Sequence, residues 1–375
     1  MDTTLCTLGS YAKVIMGQSP ESEFYTTDST DTPFLQGNRT FGTKYPTFDT
    51  FTSKVTKLAN KGSVILSVRA PVGDVNIAPA DICLGRGVAA INSVDSDNEF
   101  LYYLMRYLAP VLNQNENGST FGSINKKDLE QLQINLPGLK TRSAIGKLLS
   151  DLDKQILINQ RVNDNLLTIA NQLYDQYFPY VIGDELPDGW KEGKLGDIIE
   201  IYDSKRIPLS GKERSERAKL YPYYGAASIT DYVDDYLFDG IYLLLGEDGT
   251  VVTDSGAPVL QYVFGKFWVN NHAHILTGKN GYSVEALYLL CQRLNIDAII
   301  TGAVQPKISQ ANLKGIEIII PPETIIIDFS EKLDSLFNIY RNNTMESERL
   351  KALRDQLLPK LMSGEIDVST LEIPN

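Results

Sequence analysis

The sequence predicts a duplicated α/β (α+β) protein, with two globular domains separated by two long antiparallel coiled-coil helices about a pseudo-twofold. Three observations predict it. The chain repeats itself, each repeat ends in a long heptad, and each repeat holds short β-branched runs punctuated by glycine and proline. A shift of 184 residues (302 minus 118) lays 118–178 on 302–362 without a gap. It pairs Gly118 with Gly302, Ile124 with Ile308, Pro137 with Pro321, Leu152 with Leu336 and Leu173 with Leu357.

The heptad fixes the helices. In the first repeat the seam reads Ile145, Leu149, Leu152, Ile156, Asn159, Asn163, Leu166, Ala170, Leu173 and Tyr177. In the second it reads Phe329, Leu333, Leu336, Tyr340, Asn343, Ser347, Leu350, Arg354, Leu357 and Leu361. Alternating steps of four and three keep one stripe facing a partner. Antiparallel pairing would set Asn159 against Ser347 and Asn163 against Asn343, polar against polar. The midpoints would match in parallel pairing too, so direction rests on topology. Two halves, each a globular domain followed by a helix, close symmetrically only with the domains at opposite ends. The alternative is that each helix packs only on its own domain. These signals divide the chain into a domain at 1–140, a helix at 141–180, a linker at 181–190, a domain at 191–325, a helix at 326–362 and a tail at 363–375.

The elements of the first domain follow in order. An apolar run at 12–16 reads as a strand and is closed by a turn at 17–20. The stretch 33–42 is loop chemistry, with Gln36, Asn38 and Arg39 between aromatics. Residues 62–69 form a buried strand by their β-branched content, ending in the turn 70–74, and 88–91 form another after Gly85-Arg86-Gly87. An amphipathic helix fills 98–112, with Phe100, Leu101, Leu104, Tyr107 and Leu108 on one face. A hydroxyl-rich loop at 118–127 precedes a strand at 132–136, and Ser123 is a candidate helix cap. The long helix would span about 57 Å at 1.5 Å per residue.

The second domain repeats this programme. Residues 221–225 stand where 33–37 stood, 241–245 run into the turn 246–249 as 65–68 ran into 69–73, and 284–294 supply the helix. The scaffold is kept while the loop side chains change.

Composition narrows the function. The chain has 375 residues, 43% of them hydrophobic, enough for two ordinary cores. No stretch approaches eighteen apolar residues and the first ten residues lack a secretory pattern, so a cytoplasmic protein with no membrane contact is expected. Cys6, Cys83 and Cys291 lie far apart and suggest neither a disulfide framework nor a zinc site. The net charge of −12 is unevenly spread. Residues 181–325 carry 13 basic against 20 acidic side chains, and 1–140 carry 12 against 14. Weak non-specific affinity for nucleic acid follows, unless a partner adds positive charge.

No catalytic constellation emerges. There is no GxxxxGK[ST] phosphate loop and no Asn/Asp-Pro-Pro-Tyr segment of the kind adenine methyltransferases share. Asp203-Ser204-Lys205 lacks the second acidic group of a nuclease site. His272 and His274 would share one side of a strand, but no third ligand lies nearby in sequence, so no metal is expected.

The sequence resembles the specificity subunits of type I restriction-modification enzymes. In the first half the residues carrying the resemblance are Gly17-Gln-Ser-Pro20, Pro33-Phe-Leu-Gln-Gly37, Ser67-Val-Arg-Ala-Pro-Val-Gly73, Gly85-Arg-Gly87 and Gly118-Ser-Thr-Phe121. In the second they are Tyr221-Pro-Tyr-Tyr-Gly-Ala226, Leu245-Gly-Glu-Asp-Gly249, Gly265 to His274 and Gly302-Ala-Val-Gln-Pro306. The resemblance implies two target recognition domains, each reading half of a split site in double-stranded DNA. It also implies helices that dock two methyltransferase (M) subunits and, with them, restriction/translocase (R) subunits. The chain itself would be non-catalytic and bind no cofactor. S-adenosylmethionine, ATP and Mg would belong to its partners.

Base readout needs fixed donors and acceptors: Arg for guanine, Asn or Gln for adenine, hydroxyls for either. In the first domain Gln36, Asn38, Arg39, Arg69, Arg86, Ser119, Thr120, Ser123, Asn125 and Lys126 are the candidates. In the second they are Lys205, Arg206, Tyr224, Ser228, Asn270, Asn271, His272, Gln305 and Lys307. Two other readings stay open: a duplicated binding protein for a non-DNA ligand, and an enzyme with two degenerate sites.

Overall fold

The computed structural model describes residues 2–114, 122–302 and 305–369. The chain divides into two units: unit 1 comprises 1–158 with 346–375, and unit 2 comprises 159–345. Each long helix therefore contributes one half to each unit. The first runs Leu139–Tyr177 and the second Glu323–Ser363.

Unit 1 starts by tying its first strand to its last. Thr3–Thr7 pairs antiparallel with Gln133–Pro137, the strand that leads into the first long helix. A four-stranded sheet follows in the order Ala12–Met16, Val88–Ser93, Val64–Ser67, Val75–Ile77. A five-stranded sheet is built from shorter pieces. At its centre Thr32–Leu35 pairs parallel with Ile82–Leu84, setting Phe34 against Cys83. The amphipathic stripe folds as the helix Asn98–Gln114, whose Phe100, Leu101, Tyr103 and Met105 are fully buried. Residues 33–35, read from the sequence as loop, belong to a strand, because Phe34 and Leu35 go into the core.

Unit 2 repeats the opening. Lys191–Lys194 pairs with Glu317–Ile320, the strand before the second long helix. Leu195 N–H donates to Ile316 O at 2.8 Å, as Leu8 N–H does to Leu132 O at 2.8 Å. The six-stranded sheet has the order Ile199–Ile201, Ala273–Gly278, Phe238–Gly246, Leu260–Val269, Tyr221–Tyr224, Ile229–Val233. Its one parallel pairing, Tyr223 on Trp268, matches the parallel pair of unit 1.

Within each unit the two helix halves pack together. In unit 2 Asn343 Nδ2 donates to Asn163 Oδ1 at 3.0 Å, and Asn163 Nδ2 donates to Tyr340 O at 3.1 Å. Further along, the Tyr174 and Phe329 rings lie 5.8 Å apart and Tyr177 bonds Asp328. Numbers climb on one helix as they fall on the other, so the pairing is antiparallel. Asn159 Nδ2 reaches Asn343 O at 3.5 Å. In unit 1 Arg354 Nη1 meets Asp153 Oδ1 at 2.6 Å.

Neither seam is independent of its unit. Ile145, Leu149, Leu358 and Leu361 sit in the hydrophobic core of unit 1, and Phe329, Leu333 and Phe337 in that of unit 2, with Leu336 and Tyr340 against it. Ile156 is fully buried, while Leu152, Leu166 and Leu350 are half-buried and Ser347 is buried. Among the described residues, no helix is long and apolar enough to cross a membrane.

Candidate nucleic-acid interface

Loops distant in sequence are stitched edge to edge in unit 1 by backbone hydrogen bonds. Gln18 N–H donates to Leu84 O at 2.9 Å, Gly85 N–H to Leu35 O at 2.7 Å and Gly87 N–H to Gln36 O at 3.0 Å. Val68 N–H then donates to Gly87 O at 2.9 Å and Ile124 N–H to Val68 O at 3.0 Å, while Arg69 bridges Ser123. Such close approach needs glycine at two places. A Cβ on Gly17 would lie 2.0 Å from Gly85 O, and one on Gly87 2.5 Å from Gln36 O.

Unit 2 carries three of these five rungs and the bridge. Asn270 N–H donates to Tyr224 O at 3.0 Å, Glu247 N–H to His272 O at 2.8 Å and Ile308 N–H to Glu247 O at 2.9 Å, while Asp248 bridges Lys307. The two ladders equate Leu35 with Tyr224, Gly85 with Asn270, Gly87 with His272, Val68 with Glu247 and Ile124 with Ile308. The side chains they carry differ: Gln36 becomes Gly225, Arg86 becomes Asn271, Arg69 becomes Asp248 and Ser123 becomes Lys307. The repeat read from the sequence set Leu245 against Val68. The ladder puts Glu247 there instead: Phe238–Gly246 ends on Gly246 paired with Ala273, as Val64–Ser67 ends on Ser67 paired with Val88.

The candidate readers divide by what holds them. In unit 1 Gln36, Arg39, Arg69, Arg86, Ser123, Asn125 and Lys126 are exposed and Asn38 is half-buried. Asn38 Nδ2 donates to Asp74 Oδ2 at 2.6 Å and Arg39 Nη2 meets Asp49 Oδ2 at 2.6 Å. Asn125, not Ser123, caps the helix Lys126–Gln131, its side chain accepting from Asp128 N–H. Ser123 is instead drawn into the bridge with Arg69. Lys126 pairs with Glu130 at 3.5 Å. Ser119 and Thr120 lie outside the described residues. A cavity of about 310 Å³ opens between Tyr25, Phe34, Gln36, Arg39 and Asp49.

In unit 2 Lys205, Ser228, Asn271, Gln305 and Lys307 are exposed, and Arg206, Tyr224, Asn270 and His272 are half-buried. Lys205 lies over the Tyr202 ring at 4.9 Å, and the Tyr224 ring packs on Phe267 at 5.7 Å. Asn270 Oδ1 accepts from His272 N–H at 2.8 Å, and Gln305 Nε2 donates to Asp248. Arg206 is built into the unit. Its Nη1 meets Glu247 Oε2 at 2.6 Å and donates to Ala273 O at 2.8 Å.

Sequence reasoning missed the cluster behind this face. His274, fully buried, has Nδ1 2.6 Å from Asp203 Oδ2 and Nε2 2.9 Å from Ile308 O. Gln310 Nε2 also donates to Asp203 Oδ2, at 2.6 Å. Burial alone would raise the Asp203 carboxyl, but His274, the Ile275 N–H and Arg206 outweigh it and hold the group below its ordinary range. Ligand atoms of Asp203, Glu247 and His274 lie within 4.8 Å of one another, the spacing of a cation site. Arg206 already supplies cationic charge there. His272 stays outside, in the turn before the strand Ala273–Gly278, with Nδ1 3.7 Å from Asp248. The two histidines thus do not share a strand face. The sequence signal for the cluster was only Asp203 and His274 taken separately, since pairing across 71 positions has no local trace.

Comparison with known proteins adds a family. The model described as "Type I restriction modification DNA specificity domain" matches twice, over residues 2–168 and 187–353. The MjaIX type I restriction enzyme specificity subunit of Methanocaldococcus jannaschii is 28% identical, covering 83% of this chain and 79% of that protein. A segment of 158 residues is 42% identical to the MjaX specificity subunit of the same organism, covering 42% of this chain and only 37% of that protein's length. The crystal structure of a type I restriction-modification S subunit from M. genitalium shares the fold, with TM-score 0.63, 19% identity and 96% of each chain covered.

Proposed function

The chain belongs to the type I restriction modification DNA specificity family, and from that membership we propose that it is the sequence-reading, non-catalytic subunit of a type I restriction-modification complex. It binds a bipartite site in double-stranded DNA, one half per recognition domain, taken as 1–140 and 191–325. Through its long helices it docks two methyltransferase subunits and, with them, restriction subunits. The complex methylates adenine or cleaves DNA, drawing S-adenosylmethionine, ATP and Mg into those partners.

One observation supports this reading above the rest. The same ladder of loops occurs in both units and presents different side chains in each. A shared scaffold with private side chains suits two readers of two short sequences, because backbone places the donors and side chains choose the base. Family membership does not favour a free-standing binder of another ligand.

Mapping of methylated adenine across the host genome, with and without this gene, tests the proposal. A motif of two short parts with an unread gap is expected, its halves about one helical turn apart centre to centre. Loss of the gene should erase that motif. A continuous motif would count against two-headed reading.

A further inference from the structure

Lys44 lies in the middle of the long loop 36–50, between the strands Thr32–Leu35 and Phe51–Thr52, and is only 4% exposed. The loop carries Asn38 and Arg39 and is braced across itself. Phe41 N–H donates to Asn38 O at 3.0 Å, Thr47 N–H donates to Thr40 O at 2.9 Å, and Arg39 Nη2 meets Asp49 Oδ2 at 2.6 Å. Two anchors hold this braced loop down. One is the strand Val75–Ile77: Ile77 N–H donates to Lys44 O at 2.8 Å, and Asn76 both donates to Gly42 O at 3.0 Å and accepts from Gly42 N–H at 3.1 Å. The other is the Lys44 side chain.

Its ammonium reaches the first long helix. Nζ donates to Ser150 Oγ at 3.3 Å and to the Tyr103 hydroxyl at 3.5 Å, lies 3.8 Å from Asp153 Oδ2, and sits over the Tyr102 and Tyr103 rings at 5.4 and 5.6 Å. Asp153 in turn holds Arg354 of the second long helix at 2.6 Å. A lysine is almost never buried unless such partners replace its lost hydration. The second repeat closes the same place without charge. At the shift of 184 residues Asp153 corresponds to Phe337 and Arg354 to Ala170, and both are buried. Exchanging buried charges for apolar side chains is often neutral or stabilising, so closing the helix pair does not call for them. What a ring and a methyl cannot supply is directed bonds to a loop.

We propose that Lys44 is a positioning residue for the first half-site: it ties the loop bearing Asn38 and Arg39 to the helix pair, and so sets how strictly that half-site is read. The inference rests on the DNA-reading function proposed above. Lys44 is buried and meets no base. It acts through the side chains on its loop, which discriminate only while their support keeps them in place. With Phe337 and Ala170 at the matching positions, the second half-site is read without this tie.

The test is Lys44→Met, which keeps the length of the side chain, removes the ammonium and leaves Asp153 its Arg354 counter-charge. Amide hydrogen exchange of the full-length chain should quicken at least about tenfold at Phe41, Gly42 and Thr47. Exchange in the helix Asn98–Gln114 should stay as in the wild type. In cells carrying the full complex, the methylated motif should lose discrimination at least about fivefold in one half-site, with the other unchanged. A loop that exchanges at the wild-type rate overturns the proposal, and so does a faster loop with both half-sites intact. Quickened exchange throughout Asn98–Gln114 also overturns it, because Lys44 would then be holding the core of unit 1 and not the loop. In each of these cases a split motif in the wild type leaves the DNA-reading function standing. No split motif in the wild type overturns that function and this inference with it.

Discussion

Asp153 shows at the residue scale how a head and both helices are fastened inside unit 1. Its carboxylate is 2% exposed, meets Arg354 Nη1 at 2.6 Å and Lys44 Nζ at 3.8 Å, and accepts from the Tyr103 hydroxyl. Burial pushes the Lys44 amine below its ordinary value, with Asp153 pulling the other way, and pushes the Tyr103 hydroxyl up. Such a group of charges is expensive to break from one side, because what remains is buried without a counter-charge. Asp153→Asn should therefore destabilise unit 1 by about 3–5 kcal/mol in chemical denaturation. A loss below about 1 kcal/mol would put the network in the class of exposed ion pairs. Asp203 offers a pH test in unit 2. Its folded-state pKa lies below the ordinary 3.8, so its contribution is complete above that value and is lost as pH falls through the lower folded value. Thermal melts at descending pH should lose stability faster in the wild type than in Asp203→Asn. Parallel curves would show that the carboxylate gains nothing from its partners. Arg354 stood on the heptad seam and Asp203 in Asp203-Ser204-Lys205, but nothing in the sequence pairs either with its partners. Lys44 and Arg354 are 310 positions apart (354 minus 44), and only the fold brings both to one carboxylate.

At the scale of elements, the two long helices were the most legible part of the chain, and the sequence was still incomplete about them. A heptad says which stripe is apolar, and it says nothing about what covers the stripe. Leu149 is fully buried, in a hydrophobic core that also holds Leu358 and Leu361 of the other helix. Spacer and head are one packed body there. Leu149→Ala should cost about 2–5 kcal/mol and lower the melting of unit 1. A much smaller cost, with only partner assembly affected, would restore the picture of a separate coiled coil. The Asn163–Asn343 pair was legible for a local reason, since two asparagines in matching mid-seam positions have few other ways to be satisfied. Short elements were harder. Asn125 and Ser123 are both competent caps by composition, and the choice between them was made by the bridge that pulls Ser123 toward Arg69.

Across the whole molecule the duplication could be read from spacing alone, because scaffold residues such as Ile124 and Ile308 must fill equivalent core positions in both copies. The correspondence of the loops could not, because their side chains differ and their alignment lives in backbone hydrogen bonds. Charge was legible in amount. A chain of net charge −12, with 13 basic against 20 acidic residues in 181–325, has little positive field with which to hold phosphates. Several of its arginines are also engaged: Arg206 by Glu247, Arg214 by Asp231 and Arg217 by Asp234. Counterion release scales with the phosphates a protein neutralises, so the isolated chain should bind non-specific duplex no more tightly than about 10⁻⁴ M at physiological salt, with a shallow dependence on salt. Addition of the methyltransferase subunits should steepen that dependence by several ions and tighten binding, as the partners bring the phosphate contacts. Fluorescence anisotropy of a labelled duplex over a salt series measures both slopes. If the chain alone binds unrelated DNA tightly and with the slope of the full complex, the positive face lies on this subunit and its acidity is confined to surfaces that never meet the duplex.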